Sequence, residues 1–302
     1  MNGETSFPLY LLFPLASAVV YVIGALLLKR AAENGADLWP TLRLCNYAAA
    51  MFFCPLWMFG GQLLSASFWL QPLAVALLFI AGQVLTLFAL RIGDVSVATP
   101  VLGLKMVLVA FFTTILLRQH LGAHLWTAAA LSSVAIAVLN ANLATAHRHV
   151  TLTILMSGAA AASYALFDVL VQKWSGAWGM GRFLPITLGF AALLSMALRP
   201  RQREVSTAKP AQTSGWVLGG AFCLGLQAVM LVSTIATHKN ATVANVLYSS
   251  RGLWSVIAVW AIGHWFGNRE RHLGPRALTL RLLGAALLTA AILLVLLNPH
   301  QG

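Results

Sequence analysis

The sequence predicts an all-α membrane protein: ten transmembrane helices arranged as two inverted five-helix repeats. Three observations carry that expectation. Of the 302 residues, 60% are hydrophobic and only 9% are charged, against about 25% charged in a soluble domain. Apolar windows of about 20 residues, the length that crosses a hydrocarbon core of ~30 Å, recur ten times along the chain. A shift of 146 residues, from 105 to 251, lays VATPVLGLK (97–105) on VANVLYSSR (243–251).

The windows fall at roughly 8–28, 40–59, 70–90, 98–117, 124–140, 151–172, 183–198, 215–237, 243–265 and 277–297. Alternating strands are absent, which argues against a β-barrel. The first window has no Lys or Arg before it and Lys29-Arg30 after it, the reverse of a secretory signal, so it is read as a retained span. No loop exceeds the 16 or so residues between Arg199 and Ser214, so no free-standing soluble domain is expected. Cys45, Cys54 and Cys223 lie in spans as small apolar residues, without disulfide or zinc spacing.

The net charge of +12 comes mostly from short loops, where Lys and Arg set orientation rather than bind nucleic acid. Sorting loops by face puts Arg118, Lys173, Arg182 and Lys239 with both termini, and thirteen other Lys/Arg on the opposite face. The positive-inside rule then places the richer face in the cytoplasm and both termini outside it. A bacterial-type inner membrane is the expected setting.

The register that pairs Lys105 with Arg251 also aligns GDVS (93–96) with KNAT (239–242). A weaker match sets Tyr21 on Tyr164 and Arg30 on Lys173. The repeats are therefore 1–145 and 146–302. Five spans are an odd number, so the second unit enters from the opposite side, giving an axis in the membrane plane. A Lys or Arg near the bilayer centre costs about 2.5–3.5 kcal/mol on insertion scales. Two such charges at matching places point to a midplane binding site of the kind secondary transporters use.

The chain resembles the drug/metabolite transporter superfamily, and most of all its EamA-type ten-span members. The resemblance rests on LLLKR (26–30), TLR (41–43), LFALRIGDVSVATP (87–100) with Pro100 in the fourth span, and the five-plus-five plan. It departs at LRQHL (117–121) and FGNRE (266–270), which lack the family's Gly-Glu pair, and at the uncharged loop GGQLLSASFW (60–69). The resemblance implies a cavity lined by spans one, three, four, six, eight and nine, with five and ten peripheral. In the superfamily's organic-phosphate exchangers, basic residues on spans four and nine hold the anionic group, which places Lys105 and Arg251 in that role.

Around these two residues, other polar side chains are candidate substrate contacts. Asp168 is the one acid inside a span, either as an ion-pair partner or as a proton-coupling or partner-swapping carboxylate. Asn245, Tyr248 and Ser249 form a polar stripe leading to Arg251, and Trp254 follows it. Tyr21 and Tyr164 match in the repeat. Gln83 and Gln227 lie mid-span, where an amide serves either helix contact or a cavity. The AAAA run (159–162) and the Gly215/Gly219 and Gly263/Gly267 pairs are read as close helix contacts.

A secondary transporter of a small anionic or zwitterionic metabolite follows from these readings. Proton-coupled efflux of cationic or amphipathic drugs, or flipping of a lipid-linked substrate, are the alternatives. No GxxxxGK[ST] loop is present, so ATP does not drive transport directly. Catalysis would want paired acids, a Ser/His dyad or a metal cluster, and none is seen. The expected partners are the small-molecule substrate, the bilayer and a second copy of the chain; no nucleic acid, metal or cofactor is expected.

Overall fold

The computed structural model describes residues 8–92, 95–139, 149–198, 210–262 and 275–297. Among these, every regular element is a helix. The chain order is α1 (Leu12–Glu33), α2 (Leu38–Phe53), α3 (Leu70–Ile92), α4 (Val95–Gly103), α5 (Lys105–Leu116), α6 (Ala123–Leu139), α7 (Val150–Trp178), α8 (Met180–Met196), α9 (Pro210–His238), α10 (Ala241–Tyr248), α11 (Arg251–Ile262) and α12 (Pro275–Leu297). Short 3₁₀ turns precede α1, follow α2 and precede α3. The FGNRE stretch, the Gly263/Gly267 pair, Gly93-Asp94 and the basic loop over 199–209 lie outside the described residues.

A helix or helix pair occupies each of the ten expected windows. Among the described residues, six helices are long and apolar enough to cross a membrane, while Ala123–Leu139, Met180–Met196 and Leu282–Leu297 are apolar but shorter. The fourth and ninth windows are not single rods. Each is split, into α4 and α5 and into α10 and α11, and each second piece begins on the basic residue.

The backbone hydrogen bonds mark both breaks. Pro100 sits inside α4, and its missing N–H removes a bond to the turn before it, while the break itself comes one turn later. Past it, Leu104 N–H donates to Val101 C=O at 3.1 Å, three residues back, before Leu108 N–H resumes on Leu104. The equivalent stretch of the second half, 241–251, has no proline. There the Ser249 hydroxyl donates to Val246 C=O at 2.6 Å, competing with the backbone for that carbonyl. Ser250 N–H and Gly252 N–H then reach three residues back, to Leu247 and Ser249.

In lipid, helices associate by close packing and hydrogen bonds rather than by hydrophobic expulsion from water. The α1–α9 contact uses small residues in this way. A Cβ on Gly24 would lie 2.9 Å from Cys223 Cβ, and one on Gly220 would lie 2.5 Å from Leu28. Gly215, by contrast, has open space beside it. The close approach expected at Gly215/Gly219 is therefore shifted along α9.

The larger packing is regular. α1 lies on α9 and α3 on α7; α2 meets α8 and α9, α3 meets α8, and α6 meets α12. One apolar cluster, with Phe53, Val75, Phe167, Trp178 and Phe183, joins the α2, α3, α7 and α8 side. Another, with Met106, Leu125, Val246, Leu247 and Val295, joins α5, α6, α10 and α12. The two broken rods run beside both clusters.

Candidate functional site

Lys105 and Asp168 meet. Lys105 is the first residue of α5, and its Nζ lies 2.7 Å from Asp168 Oδ2 on α7. The carboxylate is nearly closed off, at 3% side-chain exposure against 14% for Lys105. Asn245 on α10 donates its Nδ2 to the same Asp168 oxygen at 2.8 Å and to Ala241 C=O at 2.9 Å. Those two acceptors fix the amide's orientation, so its buried Oδ1 is left without a donor. Lys105 Nζ also stands 5.9 Å from the centre of the Tyr164 ring, within range for a cation–π contact. The ring lies flat against Gly82 of α3, where a Cβ would come 2.8 Å from Cε1.

Arg251 is held quite differently. Its guanidinium carbon is 4.8 Å from the centres of both the Tyr21 and Tyr248 rings. Nη1 donates to Tyr248 Oη at 3.4 Å. The two rings meet edge to face, 5.9 Å apart. No carboxylate lies within ion-pair distance of Arg251 among the described residues. Arg251 also opens α11, and a helix N-terminus carries partial positive charge, so a cation there is in the less favourable place. Tyrosine faces provide its compensation.

Of the two roles read for Asp168, the structure shows an ion pair, and its partner is Lys105. Tyr21, Tyr164, Asn245 and Tyr248 do gather about the two cations. Gln83 is engaged elsewhere, exchanging two hydrogen bonds with Asn46 of α2 at 2.9 and 3.0 Å. Gln227 accepts from Ser17 at its backbone carbonyl, at 2.9 Å, and ties α9 to α1. Ser249 is buried toward α6, with its hydroxyl 3.3 Å from Ser132, and serves the helix break. Trp254 is 37% exposed and makes none of the ring contacts at Arg251.

Gln172 was not singled out from the sequence. It lies one turn past Asp168 on the same face of α7, a spacing that was readable. Its Nε2 donates to Gln119 Oε1 at 3.0 Å and to Lys239 C=O. Its Oε1 accepts from Ala241 N–H at 2.8 Å, so it caps the start of α10 together with Asn240, whose Oδ1 accepts from Val243 N–H. The Lys239 ammonium reaches Ser175 Oγ, and Ser175 donates to Ala236 C=O at 3.2 Å. Burial pushes the Lys239 amine below the ordinary lysine value. A stacked Tyr10–His238 pair, with ring centres 3.9 Å apart, lies next to Lys239 in the chain. No cluster of His, Cys, Asp or Glu that could hold a metal occurs among the described residues.

Comparison with known proteins bears on this arrangement. No curated protein matches the chain. Among solved structures, one titled "Crystal structure of protein" is 15% identical with a TM-score of 0.58, and the match covers 97% of this chain and 97% of that one. At that identity the likeness shows a shared fold. The apolar helices make the protein an integral membrane protein. Residues 8–141 match the EamA-like transporter family, a family of membrane transporters and not of enzymes, which bears out the drug/metabolite transporter resemblance read from the sequence.

Proposed function

We propose that the protein is a secondary transporter of a small anionic or zwitterionic metabolite, bound at Arg251 and moved by alternating access. The observation that carries this reading is the state of the two cations. Asp168 neutralises Lys105, whereas Arg251, among the described residues, has tyrosine rings and the Tyr248 hydroxyl around it and no carboxylate. A cation at membrane depth and at a helix N-terminus is costly to keep. An incoming carboxylate or phosphate would meet both the guanidinium and the helix end with the right sign.

Ten spans in two inverted repeats, with both termini on the non-cytoplasmic side, complete the proposal. The packing supports the repeat. Exchanging equivalent rods turns the α1–α9 contact into α7–α3 and the α2–α9 contact into α8–α3, and both members of each exchange are present. Helix breaks just before Lys105 and just before Arg251 support the same register. Discontinuous helices at the midplane are where transporters of this construction bind substrate.

Efflux of cations through Asp168 is less well supported, because that carboxylate already has an ammonium and an amide on one oxygen. The test is thermal stabilisation of the purified full chain by small anions and cations, since a ligand that binds the native state must raise apparent stability. Stabilisation by anions is expected in wild type, and Arg251→Ala is expected to abolish it while still folding. Stabilisation by cations alone would overturn the reading.

A further inference from the structure

Resting on the anion reading above, the arrangement of charges assigns the substrate class more narrowly. We propose that the site takes a monoanion on an uncharged body and discriminates against dianions, with Asp168 setting the limit. Charge inside the spans is expensive. The described charges other than Lys105, Asp168 and Arg251 lie in loops or within about two turns of a helix end, where side chains reach the interface. Inside the spans stand Lys105, Arg251 and Asp168, which sum to one positive charge.

The pair is not free to rearrange cheaply. Asp168 Oδ2 is held by Lys105 Nζ at 2.7 Å and by Asn245 Nδ2 at 2.8 Å, and those donors come from two different rods. A ligand with one negative charge therefore brings the interior to neutrality. A ligand with two leaves one negative charge uncompensated at membrane depth. On insertion scales such a charge corresponds to roughly 100-fold in equilibrium. The surroundings favour an uncharged body: the groups beside Arg251 are the ring faces of Tyr21 and Tyr248, and Phe79 stands edge-on to Tyr164.

Matched probes decide the matter. Affinities of the purified full chain would be measured by calorimetry for dimethyl phosphate against methyl phosphate, and for benzoate against phthalate. At about pH 8 methyl phosphate is a dianion, and near pH 5 it becomes a monoanion, because the second ionisation lies near 6. The expected result is binding of the monoanion of each pair at least ~10-fold tighter than the dianion. Methyl phosphate should then gain affinity on acidification while dimethyl phosphate does not. Asp168→Asn raises the interior sum to two and should move the preference toward dianions.

Dianions binding wild type as tightly as monoanions would overturn the proposal. So would an Asp168→Asn protein that folds and binds the probes with its preference unchanged. The wild-type comparison and the pH comparison need no variant, so a failure of Asp168→Asn to fold leaves both decisive. Failure of the anion reading itself looks different: neither member of any pair binds, or only cations do.

Discussion

The two halves of the Lys105–Asp168 pair are unequally exposed, and that inequality sets what happens when each is removed. Lys105→Met leaves a carboxylate at 3% exposure with a single amide donor. Asp168→Asn leaves an ammonium at 14% exposure, with the Tyr164 ring beside it. Breaking a buried pair from one side typically costs about 3–5 kcal/mol, because the other charge is stranded. Lys105→Met is therefore expected to lower Tm more than Asp168→Asn, and the double variant should recover part of the loss. Thermal unfolding of the three purified variants checks this order. If Asp168→Asn is the more damaging, the carboxylate does more than balance Lys105. At this scale much of the site was legible from charge type alone: Lys105, Asp168 and Arg251 stand out in apolar spans. Which cation the acid chooses was not legible. That depends on how α5, α7 and α10 pack, and two candidate cations at similar depth look alike in a sequence. Gln83 and Gln227 illustrate the same limit, since an amide paired to Asn46 or tied to Ser17 has no sequence signature apart from one facing a substrate.

Between elements, the end of α7 is locked to the turn joining α9 and α10. The Gln172 amide makes two hydrogen bonds there and a third to Gln119, and Ser175 adds the contacts to Ala236 and Lys239. Gln172→Ala would leave Ala241 N–H and Lys239 C=O without that partner, at about 1–3 kcal/mol for each buried group left unsatisfied. Hydrogen exchange should speed up selectively over residues 239–243, with a lowered Tm. Unchanged protection there would mean the turn is held by its own Asn240 cap. The breaks in the fourth and ninth rods were also missed by reading the sequence. Pro100 is a visible interruption, but Ser249 acts through a hydroxyl-to-carbonyl bond that any serine in a helix can make or decline.

For the whole molecule, the all-helical class and the order of the apolar segments followed from hydropathy, while the breaks within two of the rods did not. α6 and α8, 17 residues each, nearly fill the windows 124–140 and 183–198, which are themselves short. Orientation is a property of the whole chain and has its own test. Ser67 is exposed on the loop between α2 and α3. With Cys45, Cys54 and Cys223 replaced, Ser67→Cys should react with a membrane-impermeant maleimide in intact cells. Reaction only after permeabilisation would reverse the proposed orientation.

The Lys105–Asp168 contact also joins the two halves of the chain, and that has a consequence for synthesis. Lys105 emerges from the ribosome and enters the bilayer well before its carboxylate is made. Until α7 follows, the nascent first half carries a cation with no acidic partner and has to keep it near the headgroups. The late arrival of Asp168 would then draw that helix to its final depth, so that assembly is finished by the second half rather than added to a completed first one.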